Sequence, residues 1–305
     1  MKAGTNLEKV LESKRFAVTA EIGPPKGAGT SGVLKKGEKL KNYTDAVNIT
    51  DNQTAIVRMC SLAGCTLLKR VGVDPVLQMV VRDRNRIAIQ SDILGAVAMG
   101  IGNILCLSGD YQSFGNHPTA KGVYDLDSVQ LIDTLKNMRD EHKFICGEAV
   151  NGELPVFIGA VENPFADPFE YRVLRLARKV KAGVDFIQTQ AVFDVAKFEM
   201  WMKSIKEHGL DEQVHIMAGI IPVKSAGMAR YMRDYVSGVT VPNEVVIRLE
   251  QASDVKEEGL KISLEIIERI MEIPEVHGIH LMAVGWEDIV PVIVEQSGLL
   301  PRPEV

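Results

Sequence analysis

The sequence of 305 residues lacks the features that mark several large classes of protein. No apolar run approaches the ~20 residues that a membrane-spanning helix needs. Residues 1–15 mix charged and small side chains and contain no apolar segment typical of a secretory signal. The formal net charge is −5, so the positive excess of nucleic-acid-binding surfaces is also missing. We therefore expect a cytoplasmic protein that neither crosses a membrane nor binds nucleic acid.

Cysteine is scarce, and its spacing fits neither a disulfide framework nor a metal site. Cys106 lies inside an apolar run, while Cys60 and Cys65 lie inside a helical pattern, which predicts buried free thiols. The fourth cysteine is Cys146. No HExxH pattern is present, and the histidines follow no ligand spacing. We expect no bound metal.

Short apolar runs alternate with longer amphipathic stretches along the whole chain. Most runs are nearly continuous in apolar residues, which indicates parallel strands that are covered on both faces. The eight runs are Phe16–Ile22, Ala46–Thr50, Val76–Val81, Ile104–Leu107, Val156–Val161, Phe186–Thr189, His215–Ile220 and Ile279–Val284.

Helical patterns cover residues 170–182 and 194–208, and residues 243–273 are long enough for two helices. Eight strands with helical crossovers predict an α/β fold, a single (β/α)8 TIM barrel that forms one catalytic domain over residues 1–305. A doubly wound open sheet is the alternative, although it rarely contains eight evenly distributed parallel strands.

The carboxyl ends of barrel strands carry the active site in this fold, so polar residues directly after each run are candidates. Glu21 ends the first run and precedes a rigid Gly-Pro-Pro turn at residues 23–25. A carboxylate in this position suits general acid chemistry. The alternative is a carboxylate that caps the barrel rim or pairs with a lysine.

Two further runs end in polar clusters that could bind a heterocycle. Thr50 lies in the cluster 48–52, whose alternative role is to cap a helix. Asp110 ends a Ser-Gly-Asp segment, where it could accept hydrogen bonds from the ring of a flavin or pterin. A simple turn aspartate is the alternative.

The sixth run ends in Gln-Thr-Gln, and the amide of Gln190 offers both a donor and an acceptor for an aminopterin ring. Arg178 and Lys179 lie with Arg175 on the preceding helical stretch, where they could meet a cofactor phosphate or simply face solvent. His280 lies within the eighth run, where a buried structural histidine is the simplest interpretation.

Taken together and in this order, these segments resemble the methylenetetrahydrofolate reductase family. The matching segments span nearly the whole chain: Glu21–Pro25, Ser108–Asp110, Arg178–Gly183, Gln188–Gln190 with Phe193-Asp194, Gly219–Val223 and Gly278–His280.

The resemblance implies a reaction, a cofactor and residue roles. Reduced flavin, by family default FAD with FMN as the alternative, passes hydride to 5,10-methylenetetrahydrofolate and gives 5-methyltetrahydrofolate. Glu21 then acts as the general acid, Asp110 tunes flavin and folate, and Gln190 binds the pterin. Thr50 becomes a flavin contact. Arg178 and Lys179 become contacts to the flavin phosphates.

Several positions depart from the family pattern. Ser108 stands where arginine is common, Gln78 where histidine is frequent, and Ala226 where a substrate-stacking phenylalanine occurs. Ile22-Gly23 replaces two phenylalanines, a form that resembles the branch of acetogenic and other anaerobic organisms. In that branch the reductase often works with a companion subunit. The electrons are therefore expected from NAD(P)H or through such a partner. The resemblance places the reaction in methionine biosynthesis or acetogenesis. Because family members are usually oligomeric, an oligomer is also expected.

Two other functions remain open on the same barrel. One is a flavin-free tetrahydrofolate-dependent methyltransferase or demethylase. The other is a non-catalytic subunit that binds folate or anchors a complex.

Overall fold

The computed structural model describes residues 1–236 and 238–305. Eight parallel strands form a closed barrel in chain order, with β8 paired to β1. This closure confirms the predicted (β/α)8 barrel, and the alternative of an open doubly wound sheet is wrong. The strands are Ala17–Ile22 (β1), Ala46–Ile49 (β2), Pro75–Val80 (β3), Asn103–Leu107 (β4), Phe157–Glu162 (β5), Phe186–Ala191 (β6), His215–Ile220 (β7) and Gly278–Leu281 (β8).

The predicted runs agree with these strands to within three residues at every end. The largest differences lie at the carboxyl end of β8, which stops at Leu281, and at β6, which continues to Ala191. β6 is longer because its pairing with β7 shifts register between Gln188 and Ala191.

Helices surround the barrel, and the two predicted at residues 243–273 are separate. Each helix after a strand buries one apolar face against the sheet, as in α6, where Val173 and Leu176 are buried. The helices are Asn6–Glu12 (α1), Ser31–Leu40 (α2), Ser61–Arg70 (α3), Arg86–Ala98 (α4), Ser128–Asp140 (α5), Tyr171–Ala182 (α6), Val195–Glu207 (α7), Ala226–Tyr235 (α8), Asn243–Gln251 (α9), Val255–Met271 (α10) and Ile289–Gln296 (α11).

The first helix closes the amino-terminal end of the barrel. Leu7, Val10 and Leu11 of α1 are fully buried and pack in one cluster with Phe157 and Phe186 from the barrel interior. Burying each such aliphatic side chain contributes about 1.5–3 kcal/mol. Side chains of α1 therefore fill this end of the barrel interior, and the strand ends that carry the active site in this fold lie at the opposite, carboxyl end.

The cysteines divide into a buried and an exposed pair. Cys65 and Cys106 are buried free thiols, as expected, and burial raises the pKa of both thiols. The expectation for Cys60 was wrong: it is exposed because it precedes α3 as the amino-terminal cap instead of lying inside the helix. Cys146 is exposed as well.

None of the helices in the described ranges is long and apolar enough to cross a membrane.

Candidate active site

A cavity of about 480 Å³ opens at the carboxyl end of the barrel, where the strand ends meet. Five of the six predicted site residues line it, each from a different strand or its following segment: Glu21, Thr50, Asp110, Lys179 and Gln190. Arg178 lines an adjoining groove of about 490 Å³, which shares Ser108, Ser128, Arg175 and Lys179 with the main cavity. The fold therefore brings the predicted residues together.

Glu21 lies at the rim of the barrel interior and contacts two other polar side chains. Gln78 Nε2 donates to Glu21 Oε2 over 3.3 Å, and His280 Nε2 lies 3.8 Å from the same oxygen. His280 Nδ1 is 2.9 Å from Thr19 Oγ1 on the strand paired with β8. Glu21 is thus held between an amide donor and a buried imidazole.

His280 is a site residue that the sequence analysis interpreted only as structural. Its side chain is 4% exposed and lines the cavity beside Glu21. The Gly-Ile-His segment was a usable signal, but the contact depends on barrel closure, which pairs Thr19 with His280 across more than half the chain.

Asp110 follows a glycine with a left-handed backbone, Gly109 at φ +84°. A side chain is disfavoured there because a Cβ would lie 3.2 Å from Val80 and 3.3 Å from Arg82. The Asp110 carboxylate accepts a hydrogen bond from Thr54 N over 2.9 Å. Asp110 is exposed at the mouth and ties the loop after β4 to the loop after β2.

Arg82, which was not identified from the sequence, holds the loop after β2 and the loop after β4 together. Its guanidinium donates to the carbonyl of Asp110 over 2.9 Å and to the carbonyl of Asn52 over 3.2 Å. Asp83 accepts two further hydrogen bonds from it, and the side chain of Arg82 is 2% exposed. The Arg-Asp-Arg stretch at residues 82–84 gives no sequence signal for this role.

Thr50 places a buried hydroxyl at the cavity wall. Its Oγ1 has no hydrogen-bond partner within residues 1–236 and 238–305. A buried polar atom without a partner costs free energy, so such an atom in a cavity wall indicates a ligand contact.

Lys179 is already paired, which distinguishes it from the neighbouring cations. Its Nζ lies 2.6 Å from Glu162 Oε2, and both side chains are buried. Burial lowers the pKa of the Lys179 ammonium, and Arg175 and Arg172 lower it further against the attraction of Glu162. Its charge is therefore largely committed to Glu162.

Arg172 faces the cavity with less compensation. Arg172 is 9% exposed, and its Nε donates to the carbonyl of Pro168 over 3.4 Å. Across the described ranges no carboxylate forms an ion pair with it. Arg172 and Arg175 thus make this wall of the cavity positive despite Glu162.

Gln190 lies at the carboxyl end of β6 and lines the cavity. Its Oε1 accepts from Ala191 N over 3.1 Å, and its backbone carbonyl accepts from Thr189 Oγ1. The amide nitrogen is left as the donor that can bind a ligand.

Residues 27–32 fit the Gly-x-Gly-x-x-Gly pattern of dinucleotide-binding folds, directly after β1. In those folds the glycines allow close packing against strand and ligand. Here a Cβ at Gly27, Gly29 or Gly32 would meet nothing within 4 Å, and the strand belongs to a closed barrel. The pattern therefore covers an open loop and the first two residues of α2, without the close packing of a dinucleotide site.

A family model described as methylenetetrahydrofolate reductase matches residues 6–298. Among curated proteins, the chain is 22% identical over 306 residues to a probable methylenetetrahydrofolate reductase (NADPH) of Caenorhabditis elegans, covering 96% of this chain and 44% of that protein. It is 29% identical to methylenetetrahydrofolate reductase 2 of Schizosaccharomyces pombe, over 67% of this chain and 32% of that protein.

The chain thus spans less than half the length of these two relatives. A shorter relative, 5,10-methylenetetrahydrofolate reductase of Salmonella typhimurium, is 24% identical over 76% of this chain and 73% of its own length.

Among solved structures, the fold is similar to an uncharacterized protein from Clostridium thermocellum that binds two copies of 5-methyl-5,6,7,8-tetrahydrofolic acid. The TM-score is 0.66 at 15% identity, over 96% of this chain and 100% of that one. A riboflavin lyase structure with modified FMN has a TM-score of 0.55 at 8% identity, over 93% and 92% of the two chains. At these identities the likeness concerns the fold.

Proposed function

This chain belongs to the methylenetetrahydrofolate reductase family, and we propose on that premise that it reduces 5,10-methylenetetrahydrofolate to 5-methyltetrahydrofolate. The observation that carries the proposal is the convergence of Glu21, Asp110 and Gln190 on one cavity at the carboxyl end of the barrel. The methyltetrahydrofolate bound by the clostridial neighbour supports a folate as the ligand. We propose that residues 1–305 form one catalytic domain.

Glu21 is proposed as the proton donor. Protonation of a nitrogen of the five-membered ring of the substrate opens that ring and leaves a cationic iminium at the one-carbon unit. His280 lies on one side of the Glu21 carboxylate and Gln78 donates from another, so the carboxylate keeps hydrogen-bonding partners after the proton has left.

Asp110 and Gln190 are proposed to bind and polarise the substrate. A carboxylate at the mouth stabilises positive charge that develops on the one-carbon unit. The amide nitrogen of Gln190 can donate to an acceptor on the pterin ring. Gln190 projects from the carboxyl end of β6, and Asp110 from the loop after β4, which Thr54 and Arg82 hold in place.

The cavity wall fits a flavin. The unpartnered Thr50 hydroxyl supplies a hydrogen bond, and the cations Arg172 and Arg175, with Arg178 in the adjoining groove, suit phosphate groups. A flavin bound there would supply the hydride that the one-carbon unit needs. We propose Arg172 and Arg178 as the main phosphate contacts and assign Lys179 a smaller share, since Glu162 already compensates its charge.

Replacing Arg172 with glutamine should weaken flavin binding about 10- to 100-fold, because a charge-assisted hydrogen bond contributes about 1.5–3 kcal/mol. Fluorescence titration of the apoprotein with FAD and with FMN measures the change. Arg269→Gln, an exposed arginine on α10, is the matched control and should leave the affinity unchanged. Equal affinities for the Arg172 variant and the control would remove Arg172 from the site.

The electron source is proposed to be a companion subunit in place of NAD(P)H bound to this chain. The departures at Ile22, Ser108 and Ala226 motivate this proposal. The purified chain should then oxidise NADH slowly with free flavin acceptors, whereas a normal enzymatic rate would contradict a required partner. We also propose that the chain functions as an oligomer.

An absorption spectrum of the purified protein tests the function as a whole. We expect flavin bands that bleach on anaerobic addition of methyltetrahydrofolate, as a folate–flavin hydride couple requires. A protein that stays colourless after reconstitution with FAD or FMN would favour the flavin-free folate methyltransferase. Bound folate without any turnover would favour a non-catalytic subunit.

A further inference from the structure

A series of buried, hydrogen-bonded side chains crosses the barrel interior and ends at Glu21. The amides of Asn48 and Gln188 face each other, with Asn48 Nδ2 donating to Gln188 Oε1 over 2.7 Å and Gln188 Nε2 to Asn48 Oδ1 over 3.2 Å. Gln188 Nε2 also donates to Thr19 Oγ1 over 3.1 Å. Thr19 in turn contacts His280, which faces Glu21. Gln188 and Asn48 play no part in the chemistry described above.

The contacts limit where the hydrogen atoms of this hydrogen-bonded series can lie. Thr19 Oγ1 accepts a hydrogen bond from Gln188, so the hydroxyl hydrogen of Thr19 must point toward a different partner. Two acceptors lie within reach: His280 Nδ1 at 2.9 Å and the carbonyl of Ile279 at 3.4 Å. Two assignments satisfy these contacts: the hydroxyl donates to Nδ1, or Nδ1–H donates to Oγ1 and the hydroxyl donates to the carbonyl of Ile279. In the first assignment His280 Nδ1 is an acceptor, and the neutral ring carries its proton on Nε2.

The environment of Nε2 agrees with this assignment. Nε2 lies 3.8 Å from Glu21 Oε2, and once Glu21 has given its proton to the substrate its carboxylate can only accept hydrogen bonds. A proton on Nε2 therefore matches the acceptor beside it, whereas the opposite tautomer would direct a lone pair at that oxygen. The tautomer of a histidine is set by the hydrogen bond at its other nitrogen, which here is the bond to Thr19.

We propose that Gln188 is a positioning residue, which acts through Thr19 to hold His280 as the Nε2–H tautomer facing Glu21. The amides of Asn48 and Gln188 can turn only together, since rotating one alone would oppose donor to donor and acceptor to acceptor. In the observed orientation Gln188 Nε2 faces Thr19 Oγ1. His280 then stabilises the Glu21 carboxylate after proton transfer. The kinetic consequence rests on the proposed function, but the tautomer does not.

Nitrogen-15 NMR of histidine-labelled protein at neutral pH reads the tautomer directly. The chain has 6 histidines, and a His280→Gln sample identifies the signals of this ring. In the unsubstituted protein we expect a protonated Nε2 and an unprotonated Nδ1. In Gln188→Met the Thr19 hydroxyl is free to turn, so the two nitrogens should move toward averaged shifts of mixed tautomers.

Turnover supplies the second measurement. We expect Gln188→Met to lower kcat on the order of tenfold with little change in KM, well below the ~10⁴-fold loss known for a catalytic histidine held in the wrong tautomer. Gln213→Met, an exposed glutamine at the base of the barrel, is the matched control and should change neither the tautomer nor kcat. Thr19→Val removes the same link one step later and carries the test if Gln188→Met does not fold.

A protonated Nδ1 in the unsubstituted protein would overturn the proposal. So would a Gln188→Met or Thr19→Val variant with unchanged His280 signals. If instead the tautomer is as expected but Glu21→Gln turns over normally, the proposed role of Glu21 fails and the assignment of His280 stands.

Discussion

Glu21→Gln should slow folate-dependent turnover by ~10²–10⁴-fold, the usual contribution of a general acid. Glutamine keeps the size and the acceptor oxygen of the side chain, so the contact with Gln78 can persist. It has no acidic proton to give to the substrate. Stopped-flow mixing of reduced, flavin-loaded protein with methylenetetrahydrofolate measures the step directly, because flavin absorbance returns as the folate is reduced.

The flavin content and the thermal midpoint of Glu21→Gln should match those of the unsubstituted protein, since the loss is one of chemistry and not of folding. Glu38→Gln, on the exposed face of α2, provides the matched control and should react at the full rate. A Glu21→Gln rate within threefold of that control would mean that another group donates the proton, or that the substrate arrives with its ring already open.

The strands were the most predictable part of the molecule, for a physical reason. Barrel strands are covered on both faces, so each appears in the sequence as a continuous apolar run. The run at 215–220 has the same bounds as β7, and the run at 16–22 differs from β1 by one residue. Once the barrel was inferred, the rule that strand ends carry the site led to Glu21, Asp110 and Gln190, which share one cavity.

The partners of those residues were not predictable in the same way. His280 reaches Glu21 only because β8 closes against β1, and Lys179 meets Glu162 because β5 and α6 pack side by side. A sequence pattern places each residue on an element, but which side chains pair across elements depends on register. Lys179 therefore resembled a free cation in the sequence, whereas the fold buries it and pairs it with the Glu162 carboxylate.

That buried pair leads to the largest expected effect on stability. Glu162→Gln should lower the free energy of unfolding by about 3–5 kcal/mol, because it leaves the Lys179 ammonium buried without its counter-charge. Glu162 Oε2 is 2.6 Å from Lys179 Nζ, and the side chains are 3% and 5% exposed. Chemical denaturation at pH 7 measures the loss.

Glu207→Gln breaks an exposed pair with Lys203, whose N–O distance is 4.0 Å, and should cost no more than about 0.5 kcal/mol. The double variant Glu162→Gln/Lys179→Met should recover much of the stability lost in Glu162→Gln, because it removes the buried ammonium as well as its carboxylate partner.

The pH dependence of the stability of Glu162→Gln distinguishes an uncompensated buried charge from a packing defect. Burial already lowers the pKa of Lys179 from its ordinary value near 10.5, and removing Glu162 should lower it further. The folded variant then binds fewer protons than the unfolded chain at every pH between that lowered pKa and 10.5. Its stability should therefore rise with pH in this window, and more steeply than that of the unsubstituted protein. A loss that is the same at pH 7 and pH 9 would indicate that Glu162 contributes through packing and hydrogen bonding alone.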